Sequence, residues 1–207
     1  MKSKGLNYLI PLILLSSFFF TNCKGKLIPT GDIWFAKHYI IMQDWERDLY
    51  KSLSEEGRLK FQQLFWQFRS PKSLELFEKR MNTIETQFKK ENYSQPWNTD
   101  RARIFLLNGS PSHIGYSESS SWFTPQDRLE KDNEDIQSRM IEVWDYSFEG
   151  GTVKYEFFFN PPNEWRLNSN VYRDPFLKEF ERRNKERFFG ILKKEEYEKE
   201  LEKLRKG

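Results

Sequence analysis

"IEVWDYSFEGGTVKYEFFF", residues 141 to 159, joins two runs rich in aromatic and alternating side chains across Glu149, Gly150 and Gly151. A period of two sends successive side chains to opposite faces, so Trp144, Tyr146 and Phe148 lie together, as do Tyr155, Phe157 and Phe159. Glycines stand where a tight connection needs positive φ. The stretch reads as a β-hairpin, and alternating rings of this size are what a small sheet buries against helices.

Helical periodicity on both sides supplies the covering layer. Trp34, His38, Ile41, Trp45, Leu49 and Leu53 recur at steps of three or four and predict a first amphipathic helix. Ser54 before Glu55 and Glu56 predicts the start of a second, whose face is Phe61, Leu64, Phe65 and Phe68. Pro71 ends or redirects it, and Leu74, Phe77, Met81, Ile84 and Phe88 predict a third. Ile104 to Leu107 before Asn108-Gly109 reads as a short strand entering a turn. Tyr116 to Arg139, Ser-rich and then charge-rich, reads as a long mobile loop in which Trp122 and Phe123 gain little unless they cap a groove or touch a partner. Asp174-Pro175 opens a carboxy-terminal helix. Beyond Gly190 its only apolar stripe is Tyr197, Leu201 and Leu204, too narrow to stay folded undocked and open to a partner or to solvent. The predicted class is α+β: amino-terminal helices, a small antiparallel sheet and a charged carboxy-terminal helix.

The amino terminus carries an address. Lys2 and Lys4 precede the apolar run Leu6 to Phe20, which is shorter than the roughly 20 residues a membrane-spanning helix needs. Phe20-Thr21-Asn22-Cys23 follows and resembles the cleavage box of bacterial lipoproteins, where the cysteine is acylated. Cys23 is the only cysteine, so a disulfide within the chain is impossible. The resemblance implies a signal peptide over residues 1–22 and lipidation of Cys23 with palmitate-class acyl chains. Each buried methylene adds about 0.8 kcal/mol to such an anchor. The expected location is the cell membrane or outer membrane, outside the cytoplasm. Loss of the leader takes the formal charge from +3 to +1, because only Lys2 and Lys4 go with it, and this is no nucleic-acid footprint.

"PWNTDRARIFLLNGSP", residues 96 to 111, is similar to the signature of the GWxTD domain family. Trp97, Thr99, Asp100, Arg101, Arg103, Gly109 and Pro111 fill matching positions. "FWQFRSP" at 65 to 71 and "EVWDYSF" at 142 to 148 resemble two further segments of that family. The likeness divides the chain into a leader (1–22), an anchor-proximal segment and helix (23–53), a GWxTD-like domain (54–165) and a carboxy-terminal helix (166–207). It implies a bacterial envelope protein and brings no established reaction with it.

Physically, Thr99 and Asp100 offer short oxygens for turn N–H groups, and Asp100 can pair with Arg101 or Arg103. The stretch is then either a clamp between the third helix and the first strand or a ligand site. Acid–base chemistry would need two carboxylates in different environments, and Asp100 with Glu142 or Asp145 is the candidate set of an envelope hydrolase. One cysteine, the separated His38 and His113, and the lack of HExxH, CxxC or GxSxG patterns give no metal, nucleophile or cofactor expectation. Trp122, Phe123, Trp144 and Trp165 suit a core or a platform for a sugar or peptide. The leading expectation is an anchored, non-catalytic envelope protein that holds a protein or cell-wall polymer.

Overall fold

The structure, a computed structural model, describes residues 31–119, 139–168 and 174–206. Residues 1–22, read as a leader, together with Cys23, Trp122 and Phe123 lie outside the described residues, as does 120–138 of the segment read as a loop. Strands β1 (His113–Ser119), β2 (Arg139–Phe148), β3 (Gly151–Asn160) and β4 (Glu164–Leu167) form an antiparallel sheet in the order β1-β2-β3-β4. The hairpin is β2–β3, with Gly150 at φ 111° in its turn. Its register sets Trp144 opposite Tyr155, Tyr146 opposite Val153 and Glu142 opposite Phe157, and all six are buried on one face. Tyr116 to Ser119 and Arg139, expected within the loop, belong to strands, because Tyr116 pairs with Glu142 and Ser119 with Arg139.

Seven helices appear among the described residues. The first expected helix is two, α1 (Ile33–His38) and α2 (Asp44–Ser52). A capping box restarts the chain at Gln43: its side chain accepts from the Glu46 backbone while Glu46 accepts from the Gln43 N–H at 2.7 Å. Helices α3 (Glu55–Gln67) and α4 (Pro71–Gln87) follow, with Ser54 accepting from Gly57 N–H at the first and Pro71 opening the second.

The expected strand at Ile104–Leu107 is a helix, α5 (Asp100–Asn108). A short apolar run does not distinguish a buried strand from a buried helix, so the flanking chemistry decides. Thr99 caps the first turn by accepting from Ala102 N–H at 3.2 Å, and Gly109 ends the helix at φ 80°. Helix α5 can be apolar on successive positions because it is enclosed: Ala102, Ile104, Phe105, Leu106 and Leu107 are all buried. Arg80 of α4 donates to the carbonyls of Leu106 and Leu107 at 2.7 and 2.9 Å, satisfying the carbonyl end.

The carboxy-terminal helix is also two, α6 (Pro175–Phe189), begun by Asp174, and α7 (Lys194–Lys206). Gly190 turns the corner, where a Cβ would lie 2.3 Å from the Glu186 carbonyl oxygen. The stripe that looked too narrow is docked on this chain itself, not left for a partner: Tyr197 and Leu201 are 0% and 1% exposed. Tyr197 packs on Phe68 at 5.1 Å and donates to Glu46 at 2.8 Å. Arg69 lies under the same corner and donates to both Glu46 oxygens at 2.9 Å, to Phe65 O at 2.7 Å and to Phe189 O at 3.0 Å. The stripe is sufficient because Tyr197 packs on both Phe68 and Trp45, the latter at 5.8 Å, and the ion pair beneath leaves no unpaired charge.

Candidate functional site

The segment 97–111 frames α5 at both ends. At its entrance Asp100 Oδ2 accepts from Leu167 N–H at 2.8 Å, which ties the first turn of α5 to β4. Arg101 does not pair with Asp100. Its guanidinium bridges Glu91, at 2.6 and 2.9 Å, and Glu142, at 2.9 and 3.0 Å, linking the α4–α5 connection to β2. Of the two expected partners of Asp100, Arg101 is turned away, because a helical neighbour leaves the Asp100 side by a full 100° of rotation. Arg103 approaches Asp100 at 3.9 Å, one turn on. Trp97 is half-buried with the Lys37 ammonium 4.6 Å over its ring.

At the exit, Gly109 is required twice. Its φ of 80° suits glycine, and a Cβ there would sit 2.9 Å from the Arg80 guanidinium. Its carbonyl accepts from the Tyr146 hydroxyl at 2.9 Å. Pro111 then leads into β1, with Ser112 N–H donating to Asp145 O at 2.7 Å.

The carboxylates proposed for acid–base work are not brought together. Both oxygens of Glu142 accept from Arg101, and one also accepts from Trp144 Nε1 at 2.5 Å, so this residue is a buried anchor. Strand alternation puts Asp145 on the opposite face, 3.7 Å from Lys154. Trp144 likewise belongs to the core. His38 is buried between Trp34 and Phe77, its ring centroid 4.0 and 4.4 Å from theirs, and burial lowers its imidazole to about 3. His113 stands exposed on β1. Among the described residues no group of three or more His, Cys, Asp or Glu side chains could hold a metal ion.

What the segment does open onto is a cleft of about 720 Å³, bounded by the α1–α2 turn, the start of α5, β4 and one face of α6. Asp100 and Arg103 line it beside Tyr39, Trp165, Lys178, Glu181 and Lys185. Burial pushes the Glu181 carboxyl up, against the nearby Arg103, and Tyr155 donates to it at 3.2 Å. Burial also lowers Lys185 to about 8, with Arg47 and Arg69 acting in the same direction and Glu46 and Asp44 opposing. Its ammonium donates to the Met42 carbonyl. Tyr39, Glu181 and Lys185 were not singled out from the sequence: Glu181 and Lys185 stand four apart on α6, but among the many charges of that helix nothing marks this pair, and Tyr39 reaches them from the α1–α2 turn; Trp165 was singled out, as part of an aromatic platform.

Along its surface α6 carries the ladder of ion pairs Glu179–Arg182–Glu186, at 2.7 and 2.6 Å. No helix among the described residues is long and apolar enough to cross a membrane. No protein-family model, characterised protein or solved structure matches this chain.

Proposed function

We propose that this protein is a lipid-anchored component of the bacterial cell envelope that holds a protein or polymer partner in the cleft beside α5 without transforming it. The observation that carries the reading is the cleft itself. Rigid elements deliver two half-buried rings, Tyr39 and Trp165, and two lysines to one concavity, and most of its other charged groups are engaged within the protein. Concave sites lined by rings with a few placed polar groups are where proteins bind ligands. Anchoring rests on the sequence: the short apolar run and Cys23 at its end. The likeness of Trp97 to Pro111 to the GWxTD signature supports the same compartment.

Two measurements test the two halves. Cys23→Ala in the full chain should appear as unprocessed precursor or leave the membrane fraction, and fully processed, membrane-bound variant would refute anchoring. A photo-reactive residue at position 178, in the cleft, should capture envelope material that the same residue at the exposed position 72 does not. Equal capture at both positions would refute the cleft.

An envelope hydrolase is the second reading, favoured by one observation: Glu181, whose carboxyl burial pushes up, shares the cleft with Asp100. It stands as the companion acid in place of Glu142 or Asp145. Glu181→Gln would then abolish turnover of a cell-wall or peptide substrate and leave its binding intact. Equal turnover by the variant removes this reading.

A further inference from the structure

The charges that line the cleft are not equivalent. Each acid is engaged by the protein: Asp100 accepts from Leu167 N–H at 2.8 Å, Glu164 from Arg166 at 2.9 Å and Asn160 at 3.1 Å, and Glu181 from Tyr155 at 3.2 Å. The arginines are engaged as well, Arg166 by Glu164 and Arg103 with Asp100 at 3.9 Å. Arg47 meets Asp44 at 2.6 Å and Tyr39 O at 2.8 Å, and Arg182 meets Glu179 and Glu186. Lys178 and Lys185 differ, for neither makes an ion pair among the described residues.

Lys185 is the sharper case. It is half-buried, and the partner recorded for its ammonium is the Met42 carbonyl, an uncharged acceptor. A half-buried cation whose direct acceptor is a dipole, with the Glu46 and Asp44 carboxylates acting on it without forming an ion pair, is short of compensation, and an incoming anion supplies what is missing. The depressed value of about 8 follows from the same deficit.

Seven residues separate the two lysines on α6. Two full turns bring them to the same face, roughly 10 Å apart at 1.5 Å per residue. The interval suits an extended ligand with repeated negative charges better than one compact anion. The cleft is also lined by Tyr39, with the Arg47 guanidinium 4.3 Å from its ring centroid, by Trp165, with Arg101 5.0 Å from its own, and by the side-chain amides of Gln43 and Asn98, so each ring has one face left for a ligand. Rings stack on the apolar faces of pyranoses while amides meet hydroxyls, a combination that favours a sugar chain over a peptide or a membrane surface.

We infer that the cleft binds an acidic polysaccharide, gripping carboxylates on alternate sugars with Lys178 and Lys185 and stacking the rings of the chain on Tyr39 and Trp165. This rests on the cleft being the binding site, and the test separates the two.

The full chain, reconstituted in neutral phosphatidylcholine nanodiscs, is titrated calorimetrically with oligogalacturonate, with neutral maltooligosaccharide of equal length, with an oligoglutamate peptide and with phosphatidylglycerol vesicles. Oligogalacturonate should bind at least about tenfold more tightly than each of the others. Lys178→Glu should weaken it about ten- to a hundredfold, the loss of one charge-assisted contact. Lys178 is exposed, so this variant should melt as the parent does. Lys185→Gln should weaken binding similarly, and Lys185→Arg should retain it. Equal affinity for the neutral sugar, or indifference to Lys178→Glu, overturns the acidic ligand. Tighter binding of oligoglutamate or of the vesicles overturns the saccharide in favour of an acidic peptide or a lipid surface. No binding of any probe overturns the inference, and photo-capture from position 178 then decides the cleft on its own.

Discussion

Removing the Arg69 guanidinium should cost more than any surface change. Arg69 and Glu46 side chains are both 0% exposed. Arg69→Met deletes two bonds to Glu46 at 2.9 Å and leaves the carbonyls of Phe65 and Phe189 without their donor. It also strips the cation 3.5 Å above the Phe65 ring. Glu46 would remain as a buried carboxylate held only by Gln43 N–H and Tyr197 OH. Breaking one partner of a buried pair costs about 3–5 kcal/mol, because the other charge stays uncompensated. At about 2–4 °C per kcal/mol for a chain of this size, the melting temperature should fall by roughly 6–20 °C. Scanning calorimetry at pH 7 measures it, with far-ultraviolet circular dichroism to show that the variant is helical before melting. Glu46→Gln removes the stranded charge, so the double variant should lie at least about 1 kcal/mol above the sum of the singles. Additivity within about 0.5 kcal/mol would refute the reasoning, since the pair would then not act as a unit.

Three further outcomes follow from the packing. His38 is neutral in the fold, at about 3 against 6.5 in an unfolded chain, so its contribution is present above pH 6.5 and is lost as pH falls towards 3. His38→Phe should flatten the stability–pH curve in that window by up to about 1.4 kcal/mol per pH unit; parallel curves in urea titrations would contradict this. Asp100→Ala leaves Leu167 N–H unsatisfied and should lower stability by about 2 kcal/mol in denaturant unfolding, whereas an unchanged midpoint would mean β4 is held by other contacts. Deleting residues 193–207 uncovers Phe68 and Glu46 and removes the buried Tyr197 and Leu201, each worth about 1.5–3 kcal/mol. The truncated protein should melt many degrees lower and digest faster with protease, and an unaltered melt would make α7 peripheral.

The hairpin and α4 were legible because their periods run without interruption for ten residues or more. Helix α5 was not: Ile104-Phe105-Leu106-Leu107 has neither period, and only the caps Thr99 and Gly109 carry the information that it is helical. Trp34 to Leu53 keeps a helical step across the break at Gln43, so a pattern of faces concealed a change of axis. Tyr197, Leu201 and Leu204 looked insufficient because apolar counting ignores a buried Glu46–Arg69 pair, which is polar in sequence and interior in space. The cleft was the least legible part. Asp100 and Arg103 were identified from the signature, but Tyr39 comes from the α1–α2 turn, Trp165 from β4 and Lys185 from α6, and they meet only after four elements have packed.

The Glu46–Tyr197 bond spans 151 positions. Synthesis delivers the amino end first, so Glu46 and Arg69 emerge well before the hydroxyl and the Phe189 carbonyl that complete their surroundings. Until then the two charges have each other but lack the Tyr197 hydroxyl and the Phe189 carbonyl, and water fills those places. A chain cut short before Tyr197 therefore lacks the side chain that covers Phe68 and bonds Glu46. That one buried contact makes the closing of the amino-terminal corner wait for the helix that carries Tyr197.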